Sequence, residues 1–143
     1  MLPLAHIASA LLANRLAAID RGPGPSLAGA LLPDAIDKSL AWVLGVTPSA
    51  RYLGHTPLAA AALSAGAGRL FGRRAGLAFG LAYCVHLLGD LWDEGHIPWL
   101  LPFKRYEHQS GRWDVHLSAG DLALEALGAA YLYLTYRPKD DGA

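Results

Sequence analysis

The chain has 143 residues, and its 12 Lys+Arg balance 12 Asp+Glu for a net charge of zero. That balance excludes a general nucleic-acid binder, which needs a basic excess. The length suits a single domain over 1–143 with one sizeable core, and the lone Cys84 excludes an internal disulfide or a Cys-x-x-Cys motif.

Any metal must therefore be held by His and carboxylates. Hydrophobic residues make up 53%, charged residues 17%, and the mean hydropathy is +0.26. These values fall between an ordinary soluble domain and a polytopic membrane protein. The apolar N-terminus lacks a basic stretch and is interrupted by His6, so it is not read as a cleaved signal peptide.

In chain order, Pro3 opens a first helix to about Ala18, since proline suits the first helical position. Arg21-Gly22-Pro23-Gly24-Pro25 reads as a loop. A short helix follows from Ser26 to Leu32, ended by Pro33. Asp34 is placed to cap the next helix, whose apolar Ile36, Leu40 and Val43/Leu44 keep a helical period up to Gly45. Thr56-Pro57 is a helix start that runs to Gly66 or Gly68. A basic turn then holds Arg69, Arg73 and Arg74. A long apolar helix covers about Ala75 to Trp92. Residues 94–117 read as irregular, and Ser118-x-x-Asp121 is a capping box for a last helix ending near Tyr136. No strand alternation is evident. The predicted fold is all-α, a single bundle of four to six helices.

His86 and Asp90 are four residues apart, hence one turn apart on one helix face. They can hold one ion, or they can form a core hydrogen bond at a helix end. An ionised Asp in so apolar a helix needs a partner. Cys84 points to the opposite face and reads as a small buried hydrophobe. His55 alone is an ordinary loop histidine and His6 a half-buried one. Asp34 and Asp37, and likewise Asp121, fit helix caps. Glu125 lies inside the apolar run Leu122–Tyr136 and needs a partner.

An up-down bundle brings these pieces together. Arg69, Arg73, Arg74, Arg137 and Lys139 mark one end. His55, His86/Asp90 and Asp121/Glu125 fall at the other, with His6 and Asp34 close enough to join them. The candidate metal ligands are His6, Asp34, Asp37, His55, His86, Asp90, His96, His116 and Glu125. Ligands converging from several helices are how bundles build metal sites. A catalytic zinc takes about three protein ligands plus water, so this set can serve one to three ions.

His6, Leu32-Pro33-Asp34-Ala35-Ile36-Asp37, Gly54-His55-Thr56, His86-Leu87-Leu88-Gly89-Asp90 and Pro98-Trp99-Leu100-Leu101-Pro102-Phe103 occur in this order. The series resembles the membrane-bound, metal-dependent hydrolase family typified by the bacterial inner-membrane protein YdjM, over roughly residues 1–125. The resemblance implies ligands at His6, Asp34 or Asp37, His55, His86 and Asp90, and a membrane location. The family's Pro-Asp-x-Asp appears here with two residues between the acids. Its Thr-His-Ser appears as Gly54-His55-Thr56-Pro57. His86-x3-Asp90-x5-His96 is also similar, more weakly, to the ligand run of zinc-dependent phospholipase C and the single-strand nucleases. Asp121-x3-Glu125 or His116 is the nearest counterpart to the later ligands of those enzymes.

The resulting expectation is a metal-dependent hydrolase, with zinc as its cofactor, acting on a small-molecule or lipid phosphoester. Its water would be activated on an ion held by Asp34, His55, His86 and Asp90. Arg51 and Lys38 would bind the phosphate, or else are solvated surface charges. Trp92, Trp99 and Trp113 would meet substrate or lipid, or pack in the core. The alternatives are a non-catalytic metal-binding or structural membrane protein, and a metal-free helical bundle. A cytoplasmic-membrane location with the site facing away from the cytoplasm is expected if the chain spans, and a soluble cytoplasmic one otherwise.

Overall fold

A proline at the first or second helical position opens three of the helices, where its missing N–H costs nothing. The structure, a computed structural model, describes residues 2–19, 22–91, 97–104, 106 and 118–138. Its helices are α1 (Pro3–Leu16), α2 (Pro23–Lys38), α3 (Pro57–Phe71), α4 (Arg73–Leu91) and α5 (Ala119–Tyr136). A single π turn, Ser39–Val43, extends α2. No strand occurs among the described residues, so the fold is the expected all-α bundle. Helix α4 is central and packs against α1, α2 and α3, while α5 packs on α1.

Two local rules hold as read. Thr56 Oγ1 accepts from Ala59 N at 3.0 Å and caps α3. Ser118 and Asp121 form a reciprocal capping box on α5. Pro33 does not end a helix: α2 runs through it to Lys38, so Asp34 is mid-helix rather than a cap. Proline in a helix interior loses one backbone bond. Burial of α2 against α1 and α4 outweighs that local loss. Helix α3 overruns its expected end at Gly66 or Gly68 and stops at Phe71. There Gly72 turns the chain with φ 92°, a conformation that favours glycine. Cys84 faces away from His86 as expected, but it is exposed rather than buried. It lines a shallow apolar cavity of about 360 Å³ with Ala60 and Ala61 of α3, which covers that face of α4 only in part.

The helices approach through small residues. A Cβ at Gly29 would collide with the Phe79 carbonyl and lie 2.9 Å from the Ala82 Cβ. A Cβ at Gly76 would lie 2.6 Å from the Gly68 Cα, and one at Gly128 would lie 2.9 Å from the Leu4 carbonyl oxygen. Small residues at a crossing let the two backbones approach closely. Gly29→Ala is accordingly expected to destabilise the fold by ~1–3 kcal/mol through overpacking. Denaturation of the purified protein would show this as a lowered midpoint. An unchanged midpoint would mean that α2 can move off α4 freely.

Candidate metal centre

Two histidines aim their Nε2 atoms at each other in the buried core. His86, on α4, has Nδ1 2.7 Å from the Ala30 carbonyl oxygen. His55, in the segment leading into α3, has Nδ1 2.7 Å from Asp37 Oδ2. A carbonyl or carboxylate oxygen accepts, so each Nδ1 carries the hydrogen and each Nε2 presents a lone pair. The two Nε2 atoms lie 3.2 Å apart. Two lone pairs cannot face each other at that distance unless a cation, either a proton or a metal ion, sits between them.

Two carboxylates complete the cluster. Asp90 Oδ2 is 3.0 Å from His55 Nε2 and 3.5 Å from His86 Nε2. Asp34 Oδ1 is 3.6 Å from His55 Nε2. One ligand atom from each of Asp34, His55, His86 and Asp90 lies within 4.8 Å of the other three. Donors bonded at ~2.0–2.1 Å to one tetrahedral zinc sit about 3.3–3.4 Å apart. The His and Asp separations bracket that value, so the donor set fits a divalent ion.

The loop carrying His55 is held by Asp37. The Asp37 carboxylate accepts from the backbone N–H groups of Tyr52 (2.6 Å), Gly54 (2.8 Å) and His55 (3.0 Å) as well as from the His55 ring. A Cβ at Gly54 would lie 2.7 Å from the Pro33 carbonyl oxygen, so only glycine lets the loop close onto α2. The Tyr83 hydroxyl donates to the Gly54 carbonyl and pins the loop from α4. Asp37 is therefore the carboxylate that orients a ligand, and Asp34 is the one that lines the centre. Of the two, Asp34 is the one in the group that could hold an ion. Orienting partners of this kind fix the tautomer and raise the basicity of a metal-bound imidazole.

His6, on α1, stacks on His86 with ring centroids 4.0 Å apart and puts its Nε2 3.3 Å from Asp90 Oδ1. It is buried, and this Nε2 makes no well-formed hydrogen bond. It borders the cluster rather than joining the four-donor set.

Glu125 does not reach the centre. Its carboxylate accepts from Leu4 N at 3.1 Å and Ala5 N at 2.9 Å. These are first-turn donors of α1 with no partner inside their own helix. The partner that this acid needed is a helix end, not a metal. Asp121 caps its own helix, so Asp121-x3-Glu125 supplies no later ligands of the phospholipase type. His96, His116, Trp92, Trp113 and Lys139 lie outside the described residues. Trp99 is exposed and lines the shallow cavity beside Cys84.

Arg51 and Lys38 stand at the rim. Arg51 Nε is 3.3 Å from Asp90 Oδ2, and Lys38 Nζ is 2.7 Å from Asp34 Oδ2. Their side chains are 28% and 38% exposed, against 0% for His55. Sequence reading missed Tyr83. Its spacing was a usable signal, because Tyr83, His86 and Asp90 recur at helical intervals on one face of α4.

Burial pulls the His55 imidazolium pKa down, but hydrogen bonds to Asp34, Asp37 and Asp90 outweigh it and raise it from 6.5 to about 10. In the metal-free protein a proton is thus held at the centre at neutral pH. Ion uptake must expel it, so affinity is expected to rise with pH up to about 10. About one proton should leave per ion near neutrality. Calorimetric titration in two buffers of different ionisation enthalpy measures that number. A value of zero would show that the two Nε2 atoms hold no proton.

No curated relative and no solved structure matches the chain. Among the described residues no helix is long and apolar enough to cross a membrane. The YdjM inner membrane protein family model matches residues 1–140, and the chain belongs to that family.

Proposed function

We propose that the chain is a metal-dependent hydrolase, with zinc as its ion, acting on a phosphoester, a phospholipid included. The observation that carries this reading is the pair of facing Nε2 atoms 3.2 Å apart, each fixed by a hydrogen bond on its far side. His and carboxylate donors suit zinc, and manganese or iron next.

Charge favours an anionic substrate. Asp34, Asp37 and Asp90 carry three negative charges, and Lys38 and Arg51 two positive ones. With neutral histidines the sum is −3 + 2 = −1. The proton held at His55 in the metal-free protein brings this to 0, and a divalent ion that displaces that proton takes it to −1 + 2 = +1. The exposed rim is where Arg51 and Lys38 stand, so a phosphate entering there meets both cations. When bound, a divalent ion lowers the pKa of a coordinated water and polarises a phosphoryl oxygen. Asp37 and the Ala30 carbonyl hold the two imidazoles in place throughout. No paired nucleophile and base of the Ser-His or Cys-His kind is evident in the sequence.

A second reading has an observation of its own. Four protein donors fill a tetrahedral zinc, as in structural sites. A non-catalytic metal-binding membrane protein would look the same at this level. The test is metal content and X-ray absorption of the purified protein, with assays on phosphomonoester, phosphodiester and phospholipid. Hydrolysis that a chelator stops and zinc restores supports the enzyme. A saturated four-donor site with no turnover on any of the three supports the second reading. In the enzyme, Arg51→Gln is expected to raise KM several-fold with little change in metal content. An unchanged KM would remove Arg51 from substrate binding.

Membership in an inner-membrane family makes membrane association the expected setting. Arg69 stands in the last turn of α3, and Arg73 and Arg74 at the start of α4, far along the chain from His86 and Asp90 near the other end of α4. Basic residues favour the cytoplasmic side, so the reading places the metal centre away from it. Cysteines introduced at 97–104 in a Cys84→Ser background should react from the non-cytoplasmic side. Labelling from the cytoplasm alone would reverse the orientation.

A further inference from the structure

The end of the bundle remote from the metal centre contains a second cavity, of about 790 Å³, between the starts of α2 and α4 and the end of α3. Its walls include Ile19, Ala28, Phe71, Ala78 and Phe79, and among the described residues its only ionisable lining is Arg73 and Arg74. The volume falls within the ~300–1,000 Å³ of small-molecule sites. Arg73 is the first residue of α4, so roughly 17 helical residues, or about 25 Å at ~1.5 Å per residue, separate it from Asp90. The cavity is thus not an extension of the metal site.

The arginines are exposed, and among the described residues neither has an acidic partner. Leu70 and Phe71 beside them are 77% and 76% exposed. An apolar chamber bordered by two exposed guanidinium groups is complementary to an apolar chain ending in an anion. The positive starts of α2 and α4 border the same chamber and add to the attraction. A neutral chain would leave the guanidinium charge unmatched, and a zwitterionic headgroup would bring its own cation beside the phosphate. Guanidinium groups bind phosphate through paired hydrogen bonds. For a chain of an inner-membrane family, an anionic phospholipid is the occupant at hand.

We propose that this cavity is a binding site for an anionic phospholipid, its acyl chain between α2, α3 and α4 and its phosphate on Arg73 and Arg74. The experiment uses the full-length protein delipidated in neutral detergent. Binding of phosphatidylglycerol and phosphatidylcholine is followed by native mass spectrometry and by thermal shift. The wild type should prefer phosphatidylglycerol by tenfold or more. Arg73→Gln/Arg74→Gln should lose that preference, and Ala28→Trp, which fills the chamber, should lose retention of either lipid. Arg69→Gln removes a charge at the same end but lines no part of the cavity, and it should behave as wild type. Circular dichroism of each variant confirms folding. Any variant that unfolds is replaced by Arg73→Lys/Arg74→Lys or Ala28→Phe, for which a weaker loss of the same kind is expected. Equal binding of the two lipids would overturn the proposal. So would an Arg69→Gln loss as large as that of the double variant, which would indicate diffuse charge attraction. Inorganic phosphate competing as well as the lipid would also overturn it, by making the chain irrelevant.

Discussion

His86→Ala is expected to abolish metal binding and, with it, hydrolysis. His86 supplies one of the two facing Nε2 lone pairs, and its own Nδ1 is already committed to the Ala30 carbonyl. His55 and Asp90 are in the donor set themselves, and His6, stacked on the His86 ring, borders that set without belonging to it. The loss of affinity should exceed the ~10–100-fold that removal of an orienting partner costs. The fold should survive, since α4 keeps its packing through Phe79, Tyr83 and Leu87. The measurements are metal per chain by mass spectrometry, turnover on the best substrate, and far-ultraviolet circular dichroism. A His86→Ala protein that still holds the ion would remove α4's histidine from the centre. Equal turnover in both proteins would sink the hydrolase reading while leaving the metal site intact.

The part of the centre that lies on one helix was legible in the sequence. His86 and Asp90 share a face because of their spacing, and Thr56-Pro57 marks the start of α3 by local capping rules alone. Local rules failed at Pro33, where they ask for a stop. The continued helix is what presents Asp34 and Asp37 to the core, and it depends on α2 packing against α1 and α4. The roles of Asp34 and Asp37 were illegible for a related reason. They differ only in where the loop 52–55 folds back, and that loop is held by hydrogen bonds spanning 15 to 18 residues. Glu125 shows the same limit at longer range. A carboxylate in an apolar run needs a partner, and the sequence offered metal, but the partner is the start of α1, 120 residues away. Chemistry-bearing residues could be picked out by type and spacing. Their division into ligands, orienting groups and helix caps required the tertiary contacts.

Asp37→Asn and Asp34→Asn separate those roles. Asp37 is fully buried and accepts from three backbone N–H groups and the His55 ring. An asparagine offers one acceptor oxygen and turns an NH2 toward donors, leaving at least one of them facing another donor. A hydrogen bond to a charged group is worth ~1.5–3 kcal/mol, and an unsatisfied buried donor costs ~1–3 kcal/mol more. A loss on the order of 3–5 kcal/mol is therefore expected, large against the ~5–15 kcal/mol that holds a domain together. Hydrogen exchange should speed up first at the amides of Tyr52, Gly54 and His55. Metal affinity should fall ~10–100-fold in whatever fraction stays folded, because His55 is no longer oriented. Asp34 instead sits at the rim, 19% exposed, with one oxygen on Lys38 and the other 3.6 Å from His55 Nε2. Asp34→Asn should cost little stability, since a half-exposed ion pair contributes ~0–1 kcal/mol, but should weaken metal binding directly. Denaturation midpoints and metal titration on the two variants decide the matter. Asp34→Asn unfolding as readily as Asp37→Asn, or Asp37→Asn keeping full metal affinity, would exchange the two assignments.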